Sequence, residues 1–373
     1  MPWSSSCRSI FAAVSLTSLG LAAYGAQQTV TWDDNSDDED GFRVERAIDG
    51  NTFVEIATVP ANVTSYVDRD VSLGTIYWYR IKAYKATAES NYSNLAGVRA
   101  ASDVNASGSS TSKLINISAR AIPGTGEQSL IVGFVVQNGN CPVLLRAVGP
   151  GLAAYTTALT VQDPVLEVLD GKSVIGQNDN WGGTDRLSST FNQLGAFAIP
   201  AASRDAALLA DFAPRGYTVL LTGANAGLAM AEIYDADLTG ASPGRLMNLS
   251  VRAQTGTGDG VLIVGFVIAG NKSVRVLIRA IGPSLALYGV AGVLVDPQLD
   301  LFRGNVLLDH NDDWRGTASL ASTFEQAGAF QLSDRTSWDA ALTAYLPPGA
   351  YTAVISGVGG QTGVALAEIY ELP

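Results

Sequence analysis

The sequence predicts an all-β protein: three β-sandwich domains in tandem, the last two of them duplicates. Three observations carry this expectation. The C-terminal two-thirds is written twice, from Leu114-Ile-Asn-Ile-Ser-Ala-Arg-Ala121 and Leu246-Met-Asn-Leu-Ser-Val-Arg-Ala253 to Ala231-Glu-Ile-Tyr234 and Ala367-Glu-Ile-Tyr370. That period of about 132 residues is far longer than a solenoid unit, so it marks two whole domains. Within the copies, apolar residues alternate with polar ones: Met247, Leu249, Val251 and Ala253 against Asn248, Ser250 and Arg252. This is the period of a half-buried strand. Finally, 39 glycines and a charged fraction of 16% suit short strands joined by tight turns.

The first 26 residues read as a secretory leader. Arg8 supplies the positive start, Ile10 to Ala23 the apolar run, and the small residues to Ala26 a cleavage site after Gly25 or Ala26. The run is too short and interrupted for a membrane span. The expected location is therefore secreted or at the cell surface, with no span left after cleavage. Cys7 leaves with the leader, and Cys141, read as a loop residue, remains alone without a disulfide partner. The net charge is −12, or −13 without Arg8. That argues against nucleic acid and anionic lipid, which demand basic patches.

Residues 27–99 carry Val30-Thr-Trp32, then Gly41-Phe-Arg-Val-Glu-Arg46, then Leu73-Gly-Thr-Ile-Tyr77 and Tyr92-Ser-Asn94. In that order these residues resemble a fibronectin type III domain. The resemblance implies a two-sheet sandwich with Trp32 in its core and a tyrosine corner at Tyr77. Tyr77, Tyr79, Ile81 and Ala83 are expected to face inward, and Trp78, Arg80 and Lys82 outward. The family also has a strand about a dozen residues before Trp32, where the leader stands here. Cleavage would leave the sandwich short of that strand, with an open edge that a neighbour can fill. The acidic run Asp33 to Asp40 reads as a solvated turn, with Ca²⁺ as the alternative.

A polar linker, residues 100–113, leads into the first repeat, 114–238. A second linker, 239–245, leads into the second repeat, 246–373. Each repeat reads as a jelly-roll-like sandwich of eight strands with one short helix. In the second, strands are expected at Gln298–Phe302, Val306–Asp309, Ala340–Leu346, Ala350–Gly357 and Val364–Glu371. The helix follows from Leu187, Phe191 and Leu194, with Thr184 as N-cap and Gly195 as stop; Thr317, Leu320, Phe324 and Gly328 repeat the pattern. The repeated Gly-Thr-Gly, Arg-Ala-(Val/Ile)-Gly-Pro, Asp-Pro and Asn-Asp-(Asn/Asp)-Trp motifs resemble an uncharacterised module of exported proteins from environmental bacteria. A fainter similarity is to jelly-roll domains appended to secreted peptidases. Both resemblances imply an accessory or surface module.

No catalytic constellation emerges. Gly124-Thr-Gly126 and Gly256-Thr-Gly258 precede strands, not helices, so they are turns and not phosphate loops. The one histidine, His310, corresponds to Gln177 in the other repeat, which is no basis for a hydrolase triad. Asp163, Asp179, Asp296, Asp312 and Asp313 are candidate Ca²⁺ ligands, because they supply oxygen-only ligation; the competing reading is Asx-capped turns with Trp181 and Trp314 packed over them. Arg120, Arg146, Arg252 and Arg279 are expected to pair with carboxylates such as Glu232 and Glu368. The expectation is an exported, non-enzymatic interaction or structural protein without a cofactor, Ca²⁺ aside. Its partner is an extracellular protein or a glycan, with Trp78, Trp181 or Trp338 as glycan contacts. Self-assembly into a surface structure is the other alternative.

Overall fold

The computed structural model describes residues 15–17, 28–36, 38–72, 75–99, 112–123, 129–223, 225–237 and 242–372. Most of the leader, most of the first linker, the first Gly-Thr-Gly turn and part of the second linker lie outside the described residues.

The N-terminal module contains β1 (Ser15–Thr17), β2 (Gln28–Thr31), β3 (Gly41–Ala47), β4 (Val54–Pro60), β5 (Ser65–Asp68), β6 (Ile76–Lys85), β7 (Ala88–Glu89) and β8 (Ala96–Arg99). One sheet runs β1-β2-β5; the facing one runs β4-β3-β6-β8, with β7 paired to β6. Val30, Trp32, Phe42, Val44, Tyr79 and Ile81 fill the space between. The Tyr77 hydroxyl accepts the Ser72 amide at 2.8 Å, closing the tyrosine corner. A strand precedes β2 in this fibronectin-like sandwich, because Ser15, Leu16 and Thr17 pair antiparallel with Thr31, Val30 and Thr29. The first strand thus comes from inside the stretch that reads as a leader.

The first repeat holds β9 (Lys113–Ala121), β10 (Leu130–Gln137), β11 (Cys141–Val148), β12 (Pro164–Asp170), β13 (Ser173–Asn178), α1 (Asp185–Leu194), β14 (Ala206–Phe212), β15 (Gly216–Gly223) and β16 (Ala229–Asp235). The second matches it: β17 (Arg245–Thr255), β18 (Leu262–Ala269), β19 (Val274–Ile281), β20 (Pro297–Arg303), β21 (Val306–Asn311), α2 (Ala318–Ala327), β22 (Ala340–Leu346), β23 (Gly349–Gly357) and β24 (Gly363–Glu371). Thr184 and Thr317 accept the amides of Leu187 and Leu320, and the helices end on left-handed Gly195 and Gly328. Cys141 is not a loop residue: it opens β11 and is buried.

The all-β sandwich class holds, but the repeats are not independent sandwiches. One sheet runs β13-β12-β15-β10-β17-β24-β19-β22, the other β14-β11-β16-β9-β18-β23-β20-β21. Each repeat's first strand therefore lies between its own last strand and the second strand of the other repeat. β17 makes seven residue pairs with β10, and β9 makes seven with β18. Each of these ladders carries a bulge at the matching place, Val135/Val136 and Val267/Ile268. The exchange removes the edge that β9, β10, β17 and β18 would otherwise expose. One core spans both copies, with Phe134, Leu249, Phe266 and Ile117 in a single cluster. Among the described residues the result is a two-layer, sixteen-strand body with pseudo-two-fold symmetry.

The fibronectin-like module docks on the β22 edge of this body. Ala96 pairs with Tyr345, the Tyr345 amide donates to Leu95 O at 3.3 Å, and Ser273 Oγ donates to Gly97 O at 2.6 Å. Trp78 does point away from its own module's core, as alternation requires. It is nevertheless only 1% exposed, because it is an anchor in the core shared with the repeats. A Cβ added at Gly97 would stand 2.5 Å from the Trp78 ring and 2.8 Å from Pro347 Cδ, which shows how closely the surfaces meet. Arg303 lies over the same indole at 5.8 Å. The first repeat's counterparts of Arg303, Tyr345 and Pro347 are Asp170, Asp211 and Ala213. Exposed Asp211 puts a charge on the edge β14, a device that keeps edges from pairing.

Candidate functional sites

Arginines on equivalent strands build the same buried network in each repeat. Arg146 stands opposite Glu232 across β11 and β16, and Arg279 opposite Glu368 across β19 and β24. Arg146 Nε lies 3.0 Å from Glu232 Oε2, and its Nη1 donates to Phe197 O at 2.9 Å. Arg279 Nε donates to Glu368 at 2.8 Å and Nη1 to Phe330 O at 2.6 Å. Tyr234 and Tyr370 hydroxyls donate to the second oxygens of Glu232 and Glu368. Burial raises the Glu232 carboxyl above the ordinary carboxylate range, and the Arg146 cation opposes that rise. The expected Arg–Glu pairing thus appears for Arg146 and Arg279. Arg120 and Arg252 lie elsewhere, half-buried on the central strands β9 and β17.

These networks reach the surface through one residue each. The Arg146 guanidinium stacks 4.4 Å from the Phe197 ring centre, and Arg279 lies 4.5 Å from Phe330. Phe197 in turn meets Tyr155 edge-on at 5.3 Å, and Phe330 meets Tyr288 at 5.2 Å. The two tyrosines are 67% and 62% exposed. Their prominence was missed in the sequence; only their recurrence after Gly-Pro in both copies could have signalled it.

The acidic and amide residues that recur in both repeats mostly hold loops. Buried Asp205 accepts the amides of Gly149 and Gly151, and buried Asp339 those of Gly282 and Ser284, pinning the Arg-Ala-x-Gly-Pro corners. Asn178 and Asn311 each cap their own turn and accept an amide of the neighbouring strand. Trp181 and Trp314 are buried, their indoles donating to Pro200 O and Ser337 Oγ. Neither Trp78 nor Trp181 is therefore available as a surface glycan contact, whereas Trp338 is 53% exposed.

Of the candidate Ca²⁺ ligands, Asp163 pairs with Arg204 at 3.0 Å. In the second repeat Trp338 replaces that arginine. There the Asp296 carboxyl is raised by burial and by the charges of Asp313 and Asp312. Asp179 occupies the first repeat's turn before Trp181. Among the described residues no group of three or more His, Cys, Asp or Glu side chains is placed to hold a metal ion. In the N-terminal acidic turn, Asp38 pairs with Lys85, Asp40 accepts the Ala86 amide and Asp34 the Ser36 amide.

A cleft of about 370 Å³ separates the fibronectin-like module from the second repeat. Tyr92 and Asn94 form one wall; Asp309, His310, Asp312 and Asp313 form the other. His310 Nδ1 lies 2.6 Å from Asp300, and its amide donates to Asp309. Burial pushes the Asp309 carboxyl up to about 6. A carboxyl that keeps its proton this far is a general-acid type. The first repeat has Gly176 and Gln177 at the positions of Asp309 and His310, so it has no matching carboxyl.

No family model matches the chain, and no curated protein matches it. Solved structures to which it is similar include a two-domain fibronectin type III segment of chicken tenascin, at 9% identity and TM-score 0.20 over 67% of this chain and 88% of that one. Another is the FN1–FN3 segment of chicken CNTN1, at 10% and 0.22 over 70% and 66%. A third is the central fibronectin III array of RIM-binding protein, at 9% and 0.20 over 98% and 97%. Superposition this loose adds nothing to what the strand order establishes.

Proposed function

We propose that this chain is an exported, non-catalytic binding protein that engages extracellular glycan or protein. One observation carries the reading: the duplicated body presents the same exposed Tyr–Phe pair twice, Tyr155 on Phe197 and Tyr288 on Phe330, while its buried Arg–Glu pairs are locked into holding it together. Repetition of a surface serves multivalent attachment; it does nothing for a single reactive centre. The test incubates the whole chain with insoluble cell-wall and polysaccharide fractions. Cosedimentation without release of soluble sugar or peptide is expected. Release that grows with time would make the protein an enzyme and overturn the reading.

A second reading, self-assembly, is favoured by β1. Export with cleavage after Gly25 or Ala26 would remove Ser15–Thr17 and leave β2 paired only to β5. The open edge would accept a strand from a neighbour. Light scattering of a chain beginning at Gln27 tests this: growing oligomers are expected if the edge recruits neighbours, and a stable monomer would dismiss it.

A further inference from the structure

The outer face of one sheet carries a groove of about 410 Å³, floored by the central strands β10, β15, β17 and β24 and walled by the segment that carries Tyr288 and by Phe330. Its wall is aromatic and aliphatic. Its floor sets polar groups among apolar ones: Thr218 and Ser250 flank Gly133 in register, and Arg252 stands between Ile131 and Leu366. Glycine at 133 leaves room for the Ser250 hydroxyl, which would lie 2.5 Å from a Cβ there.

The other sheet repeats this arrangement. Ser118 and Thr352 flank Gly265, Arg120 stands opposite Ile263, and a Cβ on Gly265 would lie 2.8 Å from the Ser118 hydroxyl. Tyr155 stands against Phe197 as Tyr288 does against Phe330. Floor and wall are thus identical in type at Gly, Ser, Thr, Arg, Tyr and Phe. Elsewhere the copies have diverged, as in Gln177/His310, Asp170/Arg303 and Asp211/Tyr345. Each groove also draws on both repeats, since its floor includes the exchanged first strand. Neither groove would exist in a single copy.

We infer that each groove binds a neutral oligosaccharide, its sugar ring lying against Tyr288 (or Tyr155) and its hydroxyls meeting the polar floor. This rests on the binding-protein reading and names its ligand. A pyranose has an apolar C–H face and a rim of hydroxyls, which matches an aromatic wall beside Ser, Thr and Arg donors. The acidic chain, at −12, disfavours a polyanion. Because the grooves lie on opposite faces of the sandwich, one molecule bridges two glycan chains.

Titration calorimetry of the full chain with neutral gluco-, manno- and xylo-hexasaccharides tests this. At least one is expected to bind at two sites per chain. Tyr288→Ala and Tyr155→Ala should each leave one site and the double variant none. The melting temperature should hold within a few degrees, since both side chains are exposed. Failure of all three sugars to bind, or a double variant that binds like the parent, overturns the inference. If the double variant still sediments with an insoluble fraction, the binding-protein reading survives and only the groove assignment falls.

Discussion

Removing the Trp78 side chain should undock the fibronectin-like module without unfolding the duplicated body. Trp78 is enclosed on one side by Gly97 of its own module and on the other by Leu308, Pro347 and Arg303 of the second repeat. A tryptophan buries about 200 Å², and roughly half of that is covered by docking. At about 25 cal/mol per Å² the docked contribution is about 2.5 kcal/mol. That raises the undocked fraction about 70-fold. Scanning calorimetry should therefore resolve a separate, lower transition for the module in Trp78→Ala, where the parent melts as one. Small-angle scattering should report a larger radius of gyration. Leu308→Asp, on the opposing surface, should give the same splitting while leaving the module's own core untouched. A single transition at the parent temperature in both variants would refute the assignment of Trp78 as an anchor.

Four further outcomes follow. The first repeat alone, residues 113–237, exposes β9 and β10 and should form a two-fold dimer by the same strand exchange; a monomer in light scattering would contradict this. Arg279→Leu leaves Glu368 buried without its cation and should cost about 3–5 kcal/mol by urea denaturation, most of it recovered when Glu368→Leu is added. Asp309 has its carboxyl raised to about 6 in the folded chain, so its stabilising effect is present below about pH 4 and is lost as pH rises through 6; Asp309→Asn should raise the melting temperature at pH 7.5 but not at pH 4, and a pH-independent effect would exclude the mechanism. Burial pushes the Cys141 thiol up to about 12, so maleimide should label it only once the chain is denatured.

Local structure was legible where one residue decides it. Thr184 and Thr317 had to cap, Gly195 and Gly328 had to stop a helix, and Tyr77 had to close its corner; each follows from short-range chemistry. Strand partners were not legible. The alternation of Leu249, Val251 and Ala253 buries one face whether β17 lies beside its own second strand or the other repeat's; the bulge that buries Leu246 in place of the expected Met247 was not legible either. Trp78 looked solvent-facing because Arg80 and Lys82 share its side of β6, and nothing local reveals that another domain covers only the end carrying the tryptophan. Ser15-Leu-Thr17 was hidden differently: an apolar run interrupted by hydroxyls satisfies a leader and a short strand equally well. Tyr155 and Tyr288 escaped notice because a single aromatic in a loop carries no period.

The strand exchange ties these observations together. A single copy would keep the first strands of its two layers at an open edge, so joining two copies edge to edge satisfies the backbone of both. The same junction lays β9 and β17 across the boundary and so creates each groove floor from both repeats. Stability and surface therefore arise in one step, and neither can be kept by one copy alone. The fibronectin-like module breaks the symmetry: it covers the β22 edge, where Tyr345, Pro347 and Arg303 receive Trp78. The equivalent β14 edge carries exposed Asp211 where β22 carries Tyr345, and a charge there gives an indole no apolar surface to pack on. The copies thus differ where one edge must dock and the other must stay free, while the Gly, Ser, Thr, Arg, Tyr and Phe of the grooves recur on both faces.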